Sequence, residues 1–382
     1  MAGSRGLSRF TFLDVAKTGE YIMKRRSCCL RVVLFLLLSA GIATINRAEA
    51  AWLSLSTGIN DRVTAVVADG SGTVYLGGMF TQAGDVAANG IAKWNGTSFA
   101  ALGTGMNGPV NALAVRGKNL YVGGNFTQAG DVAANYVARW DGVIWSSLKS
   151  GMSNEVEALV VDSLGNVYAG GKFTEVAKWD GTSWSALGTE MSGWVDALAV
   201  DSSGNLYAGG NFWVVDGVEV NFIAKWNGTA WSALGAGLDG YVEALAVDSS
   251  GNVYASGQFS HAGGVEVAFV AKWNGKAWSS MHTGGWFGTN IYALAVDLAD
   301  NLYAGGSLMW ISADITGNRV VKWDGRSWSP LGPALGRVYA LAVDSNGTVY
   351  AGGAFVEIGE TVSAYFGIWE DNLLPMGCFG GK

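Results

Sequence analysis

The sequence predicts an all-β fold, a seven-bladed β-propeller of four-stranded antiparallel blades. Seven times an apolar run is followed by a Tyr-Ala-Gly-Gly-like strand and then by a Lys-Trp-Asn-Gly-like strand. Most spacings between copies are 46 to 50 residues. A period of that length, made of short strands, is typical of propellers. The repeat positions are Tyr75, Tyr121, Tyr168, Tyr207, Tyr254, Tyr303 and Tyr350, with Trp94, Trp140, Trp179, Trp226, Trp273, Trp323 and Trp369.

Residues 1–50 lie outside the repeat and are predicted to be an N-terminal extension followed by a cleavable secretory signal. A basic cluster at 24–26 precedes an apolar run of 14 residues, 32–45. The run is followed by Ala48-Glu49-Ala50, which has the small residues of a signal-peptidase site. These features predict cleavage before Ala51. The alternative is a retained anchor, but a spanning helix needs roughly 20 apolar residues. We therefore expect a secreted, periplasmic or cell-surface protein, bacterial in origin, with no membrane span in the mature chain.

The charge and cysteine content of the mature chain limit the classes of partner and the kind of stabilisation that we expect. Removing the eight basic and three acidic residues of 1–50 from the totals of 24 and 31 leaves 16 basic and 28 acidic residues, a net charge of −12. Nucleic acid is therefore not an expected partner. Cys378 becomes the only cysteine, which predicts a fold without an intrachain disulfide, held together by packing.

The fifth copy shows how one repeat makes one blade. Residues 241–248, 252–259, 269–273 and 277–281 are predicted to be strands a, b, c and d. Asp248 begins a turn in which its carboxylate caps the backbone and Gly251 takes a positive φ. Asn274-Gly275 suits a two-residue hairpin between strands c and d. Each blade is thus predicted to be a tight antiparallel meander.

Side-chain size predicts the position of each strand in the disc. Strand a is apolar on both faces and rich in alanine, as at residues 195–200, which suits the crowded centre. Strands c and d carry tryptophan pairs such as Trp226 and Trp231, which suit the wider gap between blades at the rim. We interpret these tryptophans as core residues rather than ligand platforms. The six basic residues beside them are interpreted as covering the tryptophans: Lys93, Arg139, Lys178, Lys225, Lys272 and Lys322.

The two ends of the repeat region predict how the ring closes. The last copy ends after strand c at 369–372, while residues 51–58 match strand d. The N-terminal strand should therefore complete the seventh blade and remove its open edge. The alternative strand d, 373–376, contains Pro375, which cannot donate to a ladder. The propeller is accordingly assigned to 51–371 and a C-terminal tail to 372–382.

The Tyr-Ala-Gly-Gly element, the spaced tryptophan pair and the apolar strand resemble kelch-like repeats, as in the central domain of galactose-oxidase-type propellers. The complete repeat sequence is similar to the repeats of secreted bacterial propellers and fungal cortical-marker proteins. The resemblance covers residues 51–371 and implies the propeller fold. It implies little about activity, because these families share repeats rather than sites.

No motif in the chain indicates catalysis, a cofactor or a metal. The histidine and tyrosine copper ligands that the galactose-oxidase resemblance would imply match no motif here, since the only histidines are His261 and His282. The a–b turns each supply one aspartate, whereas a calcium loop needs several carboxylates. Nucleophile elbows, zinc-type spacings and phosphate loops do not occur. We therefore expect no catalytic residues, no cofactor and no metal, and an enzyme is the less favoured interpretation.

A candidate binding surface lies on the disc face that carries the b–c and d–a loops, because these loops vary between copies. The second residue of each strand a points to the channel mouth there: Thr64, Asn111, Glu157, Asp196, Glu243, Tyr292 and Tyr339. We predict Glu157, Asp196, Glu243, Tyr292 and Tyr339 as ligand-binding residues. Trp194, Tyr241, Trp286 and Phe287 are the candidate stacking platforms. The alternative is a solvated rim on an acidic protein.

These observations predict an exported, non-catalytic propeller that acts as a binding or scaffold module for a protein or a carbohydrate. One alternative is a glycan-active hydrolase or lyase that uses the carboxylates at the mouth. The other is a purely structural surface component.

Overall fold

The computed structural model describes residues 51–53, 55, 58–267, 270–281, 290–309, 318–359 and 361–370. They form strands, turns and irregular segments, and this part of the chain includes no helix that could span a membrane. Seven antiparallel sheets, here called blades 1 to 7, follow one another along the chain. Each has its four main strands, a to d, in spatial order, so the predicted fold class is confirmed.

The strands of the first four blades have the following bounds. Blade 1 consists of Val63–Ala68, Val74–Gly78, Ile91–Trp94 and Phe99–Ala101. Blade 2 consists of Val110–Arg116, Asn119–Gly124, Val137–Trp140 and Trp145–Ser147. Blade 3 consists of Val156–Val161, Val167–Gly171, Val176–Trp179 and Trp184–Leu187. Blade 4 consists of Trp194–Val200, Leu206–Asn211, Ile223–Trp226 and Trp231–Ala233.

The remaining blades follow the same order. Blade 5 consists of Tyr241–Val247, Val253–Gln258, Val270–Trp273 and Trp278–Ser280. Blade 6 consists of Ile291–Val296, Leu302–Met309, Asn318–Trp323 and Trp328–Pro330. Blade 7 consists of Ala334–Val343, Val349–Ile358, Phe366–Glu370 and Ala51–Leu53. Short strands in b–c loops are Gln82–Ala83, Val86–Ala87, Gln128–Ala129, Val132–Ala133, Val214–Val215, Val218–Glu219, His261–Ala262, Val265–Glu266 and Thr361–Val362.

The ring closes as the sequence predicts. Ala51–Leu53 is antiparallel to Phe366–Glu370, with Ala51 opposite Glu370 and Trp52 opposite Trp369. Because the N-terminal segment fills the place of strand d, the alternative closure by residues 373–376 is wrong. Those residues and Cys378 lie outside the described part. Each strand a contacts strand a of the next blade, and the seventh contacts the first.

The Gly-Gly pair at the end of strand b is required by packing and not by a turn. In blade 4, a Cβ on Gly209 would overlap Val242 Cγ1 of blade 5, and a Cβ on Gly210 would overlap the carbonyl oxygen of Trp194. The first glycine therefore lets neighbouring blades approach closely, and the second lets strand a approach strand b. In blade 5 the first position is Ser256, which is fully buried and donates to the carbonyl of Ile291 at 3.3 Å.

The strand-d tryptophans join successive blades at the rim. The indole nitrogen of Trp231 in blade 4 donates to the carbonyl of Leu187 in blade 3 at 2.8 Å. Five further tryptophans make the matching bond to the preceding blade: Trp52, Trp145, Trp184, Trp278 and Trp328. These residues are core residues, as predicted, and they also act as inter-blade hydrogen-bond donors.

The a–b and c–d turns confirm the predicted turn chemistry. Asp162 accepts backbone hydrogen bonds from Leu164 and Asn166, both at 2.9 Å, while Gly165 has φ 93°. Four strand-c lysines lie over tyrosine rings of strand b: Lys178, Lys225, Lys272 and Lys322. Lys272 Nζ, for example, lies 5.2 Å from the ring centroid of Tyr254. The interpretation that the strand-c basic residues cover tryptophans stays a prediction.

Candidate functional site at the channel mouth

A β-bulge in strand a of every blade positions the predicted mouth residues. In blade 4 the register shifts between Val195 and Ala197, so Asp196 is the extra residue without a partner across the ladder. A bulged residue is re-aimed away from the regular pleat. The same shift isolates the other six members of a ring that we call the mouth ring: Thr64, Asn111, Glu157, Glu243, Tyr292 and Tyr339. All seven are half-buried.

A lysine partly neutralises the mouth ring at blades 2 and 3. Lys172 Nζ lies 2.7 Å from a carboxylate oxygen of Glu155 and 3.1 Å from one of Glu157. Asn111 donates to the same two carboxylates at 2.9 and 3.0 Å. The hydrogen bond to Glu155 is the main cause of the raised pKa of Lys172. This sector is therefore a closed network in which the ionised forms stabilise one another.

The ring is not neutralised at blades 4 and 5. Asp196 and Glu243 form no ion pair within the described ranges. Burial raises the pKa of Asp196 to about 6, and repulsion by Glu157 and Glu243 adds to this effect, against the attraction of Lys172. Burial also raises the pKa of Glu243, against a hydrogen bond of 2.7 Å from Gln258. The other carboxylate oxygen of Glu243 is buried and has no hydrogen-bond partner among the described residues.

Tyrosines complete the ring at blades 6 and 7. The rings of Tyr292 and Tyr339 lie 5.4 Å apart in a tilted arrangement, and Asn290 donates to the Tyr292 hydroxyl at 3.2 Å. A hydrogen bond with the Tyr339 hydroxyl raises the pKa of the exposed Arg337. The mouth ring thus has an acidic side and an aromatic side.

Two predicted stacking platforms flank the acidic side. Trp194 and Tyr241 are the first residues of strand a in blades 4 and 5, and their exposed fractions are 51% and 46%. Tyr241 packs edge-on against Phe222 at 5.8 Å. Trp213, in the b–c loop of blade 4, is also 53% exposed and was not predicted. The other predicted platforms, Trp286 and Phe287, lie outside the described residues.

Lys172, Glu155 and Gln258 are site residues that the sequence reasoning missed. Lys172 directly follows a Gly-Gly pair, and Gln258 occupies the same position in blade 5. Comparison of that position between copies is the signal that could have found them. Within the described ranges, no three His, Cys, Asp or Glu side chains lie close enough to hold a metal ion. The arrangement suits recognition of a cationic group, because Asp196 and Glu243 have no ion-pair partner among the described residues.

Comparisons with known proteins support the fold. Residues 42–189, less than half of the chain, match the family model described as "Rax2 C-terminal beta propeller domain". The chain has no match among curated proteins. It is similar to the WD40 β-propeller domain of Doa1, with 15% identity and a TM-score of 0.58 over 84% of this chain and 96% of that one.

Two further solved structures give the same result. The WD40 repeats of RRP9 match at 15% identity and a TM-score of 0.57, over 84% of this chain and 99% of that one. U3-55K matches at 16% identity and a TM-score of 0.57, over 84% and 98%. Identities this low show the fold alone. Since two of these structures are named as WD40 propellers, the kelch-like type is not confirmed.

Proposed function

We propose that the protein is an exported, non-catalytic binding module whose channel mouth receives a lysine or arginine side chain of a protein partner. One observation carries the proposal: the half-buried Asp196 and Glu243 form no ion pair with any described residue, and Lys172, which attracts Asp196 electrostatically, is already paired with Glu155 and Glu157. Burying carboxylates without a counter-charge costs free energy that a bound cation would offset. Lys172 already supplies such a cation to the neighbouring sector.

The exposed aromatic residues support the same kind of ligand. Trp194 and Tyr241 precede Asp196 and Glu243 by two residues on their strands. An aromatic face beside a carboxylate suits a cationic side chain, because the stem packs on the ring while the charged head meets the acid. A rigid propeller with binding residues at one end of its channel is also a common scaffold for recognition.

The same proposal includes export, a cell-surface or periplasmic location, and the kelch-like type of the repeats. Export is supported by the basic cluster, the apolar run and the small residues at the cleavage site within 1–50. The kelch-like type is supported by the Tyr-Ala-Gly-Gly elements and the tryptophan pairs. The absence of nucleic acid among the partners is supported by the acidic balance of the chain.

The double variant Asp196→Asn/Glu243→Gln tests the binding function. The probe is a set of short arginine- or lysine-containing peptides, with matched peptides carrying citrulline or acetyl-lysine, measured by calorimetry. We expect wild-type binding to need the peptide charge and the double variant to lose about tenfold or more in affinity, because truncating one partner of a buried charge pair is costly. Asp85→Asn/Glu266→Gln removes two exposed carboxylates and should bind like wild type. Equal binding by charged and neutral peptides would contradict the proposal.

A glycan-active enzyme is the second candidate, favoured by one observation. A carboxyl group with a pKa of about 6 beside other carboxylates is the combination that general acid catalysis uses. Release of reducing ends from a polysaccharide by wild type, and not by Asp196→Asn, would establish this function instead.

A further inference from the structure

Blade 2 departs from the other blades at the positions that carry its charges. Its a–b turn holds Arg116 and Lys118, whereas all six other a–b turns begin with aspartate. Its strand c holds Arg139 where five copies have lysine, and Lys149 follows its strand d. A basic blade is notable in a chain with a formal net charge of −7. The six aspartates are Asp69, Asp162, Asp201, Asp248, Asp297 and Asp344.

A cleft of about 330 Å³ at the junction of blades 2 and 3 contains two of these cations. Its lining includes no carboxylate. A related cleft of about 440 Å³ at the junction of blades 5 and 6 instead contains Asp248, Asp300 and Asp324 beside a single lysine, Lys272. The basic cleft is lined by Arg139, Ser146, Ser147, Leu148, Lys149, Trp179, Gly181 and Thr182.

The backbone at Lys149 is held in a conformation that disfavours its side chain. Lys149 has φ 58°, in the left-handed region. Four other copies have glycine at this position, each with a positive φ: Gly103, Gly188, Gly235 and Gly332. A non-glycine residue there costs free energy. Lys149 forms no ion pair with any described residue. No ion pair in the described part of the chain therefore offsets this cost.

The guanidinium of Arg139 is also incompletely satisfied. Its Nε atom is buried and has no hydrogen-bond partner among the described residues. Asp141 lies near enough to interact electrostatically with Arg139, but its carboxylate accepts the backbone N–H groups of Ile144 and Val143 in its own turn. An unpaired buried donor is costly, so the structure itself leaves this guanidinium incompletely hydrogen-bonded.

We propose that this cleft binds the carboxylate or sulfate group of an acidic oligosaccharide. Arg139 in strand c and Lys149 after strand d of blade 2 supply the two cations. Ser146 and Ser147 belong to the same lining. The Ser146 hydroxyl donates to the carbonyl of Arg139 at 3.3 Å, and its oxygen can still accept a hydrogen bond from a sugar hydroxyl. Arginine suits planar oxyanions because it presents paired donors. This site is separate from the mouth ring and does not depend on the function proposed for it.

The variant Lys149→Gly tests the site without confusing binding with unfolding. It removes the cation and restores the residue that four other copies carry, so we expect a higher Tm together with weaker binding. The probes are a sulfated heparin tetrasaccharide and an oligogalacturonate, measured by calorimetry at low and moderate salt. Loss of one charged contact should weaken binding by about tenfold, and Arg139→Gln should do the same. Added salt should weaken the wild-type interaction.

Lys276→Thr is the matched control, because it removes one exposed cation from a hairpin of blade 5 where other copies have threonine. It should leave the affinity unchanged. Three results would overturn the proposal: no binding of either oligosaccharide, equal loss in Lys276→Thr and Lys149→Gly, or binding of anionic vesicles without binding of the soluble sugars. The last would assign the cations, with the exposed Val143 and Ile144, to a membrane surface. Asp196→Asn/Glu243→Gln should bind these sugars like wild type, so the two proposals fail separately.

Discussion

At the scale of single residues, one extra residue in each strand a creates the channel lining. The second position of strand a could be recognised from the sequence, because its spacing from the repeat tyrosine is regular. The bulge itself could not, since it arises where strand a meets the second glycine of strand b. The network of Lys172, Glu155 and Glu157 was missed for a related reason: it joins loop and strand residues whose proximity depends on that bulge.

The pKa of Asp196 predicts how its charge affects stability. A folded-state pKa of about 6, above the ordinary value of 3.8, means that the folded protein binds the proton more tightly than the unfolded chain. Stability from this group should therefore rise as pH falls from about 7 to 4. Asp196→Asn should stabilise the protein at pH 7 by about 2 kcal/mol and should weaken this pH dependence. Denaturant unfolding at several pH values measures both, and a greater loss of stability in the variant at pH 7 than at pH 4 would contradict the assignment.

At the scale of strands, the strand-d tryptophan acts as a bond between blades. The sequence predicted its burial, because large aromatic residues fill a widening gap. The acceptor was not predictable, since it is a backbone carbonyl of another blade, 44 positions away in the case of Trp231 and Leu187. Blade 1 has Phe99 at this position, so its strand d offers no indole donor to blade 7.

Replacing Trp231 with phenylalanine tests the inter-blade bond. The variant keeps an aromatic ring but leaves the Leu187 carbonyl without its indole donor, so we expect a loss of about 1–2 kcal/mol. Trp226→Phe is the matched control in strand c of the same blade, where the indole makes no such bond to a described residue. It should cost less in the same denaturant titration. Equal costs would show that ring size, and not the hydrogen bond, determines the effect.

At the scale of the whole molecule, the blade number and the closing strand followed from the sequence because both depend on counting repeats. Strand order, turn type and the position of each tryptophan follow from local patterns that recur in every copy. The choice between kelch-like and WD40-like repeats could not be confirmed, because both give four-stranded blades. The basic cleft was also missed, because it depends on the departures of one copy from the others.

The closing strand also gives a test of the proposed export. Ala51 is the first residue of that strand and lies opposite Glu370. If residues 1–50 are removed as proposed, N-terminal sequencing of the exported protein should begin at Ala51. Changing Ala48 and Ala50 to leucine should block cleavage, because the cleavage site requires small residues. A protein retained in the cytoplasm, or a mature form that begins inside the propeller, would contradict the prediction.

The same closure sets the order of events during synthesis. The strand that completes blade 7 is made before every other strand of the ring, and its partner, Phe366–Glu370, is made after all of them. Until that partner leaves the ribosome, blade 7 has no strand c for the first strand to pair with. The ring therefore cannot be completed while the chain is growing, and an exported chain can reach its membrane still open. Its final assembly would then take place in the compartment to which it is delivered.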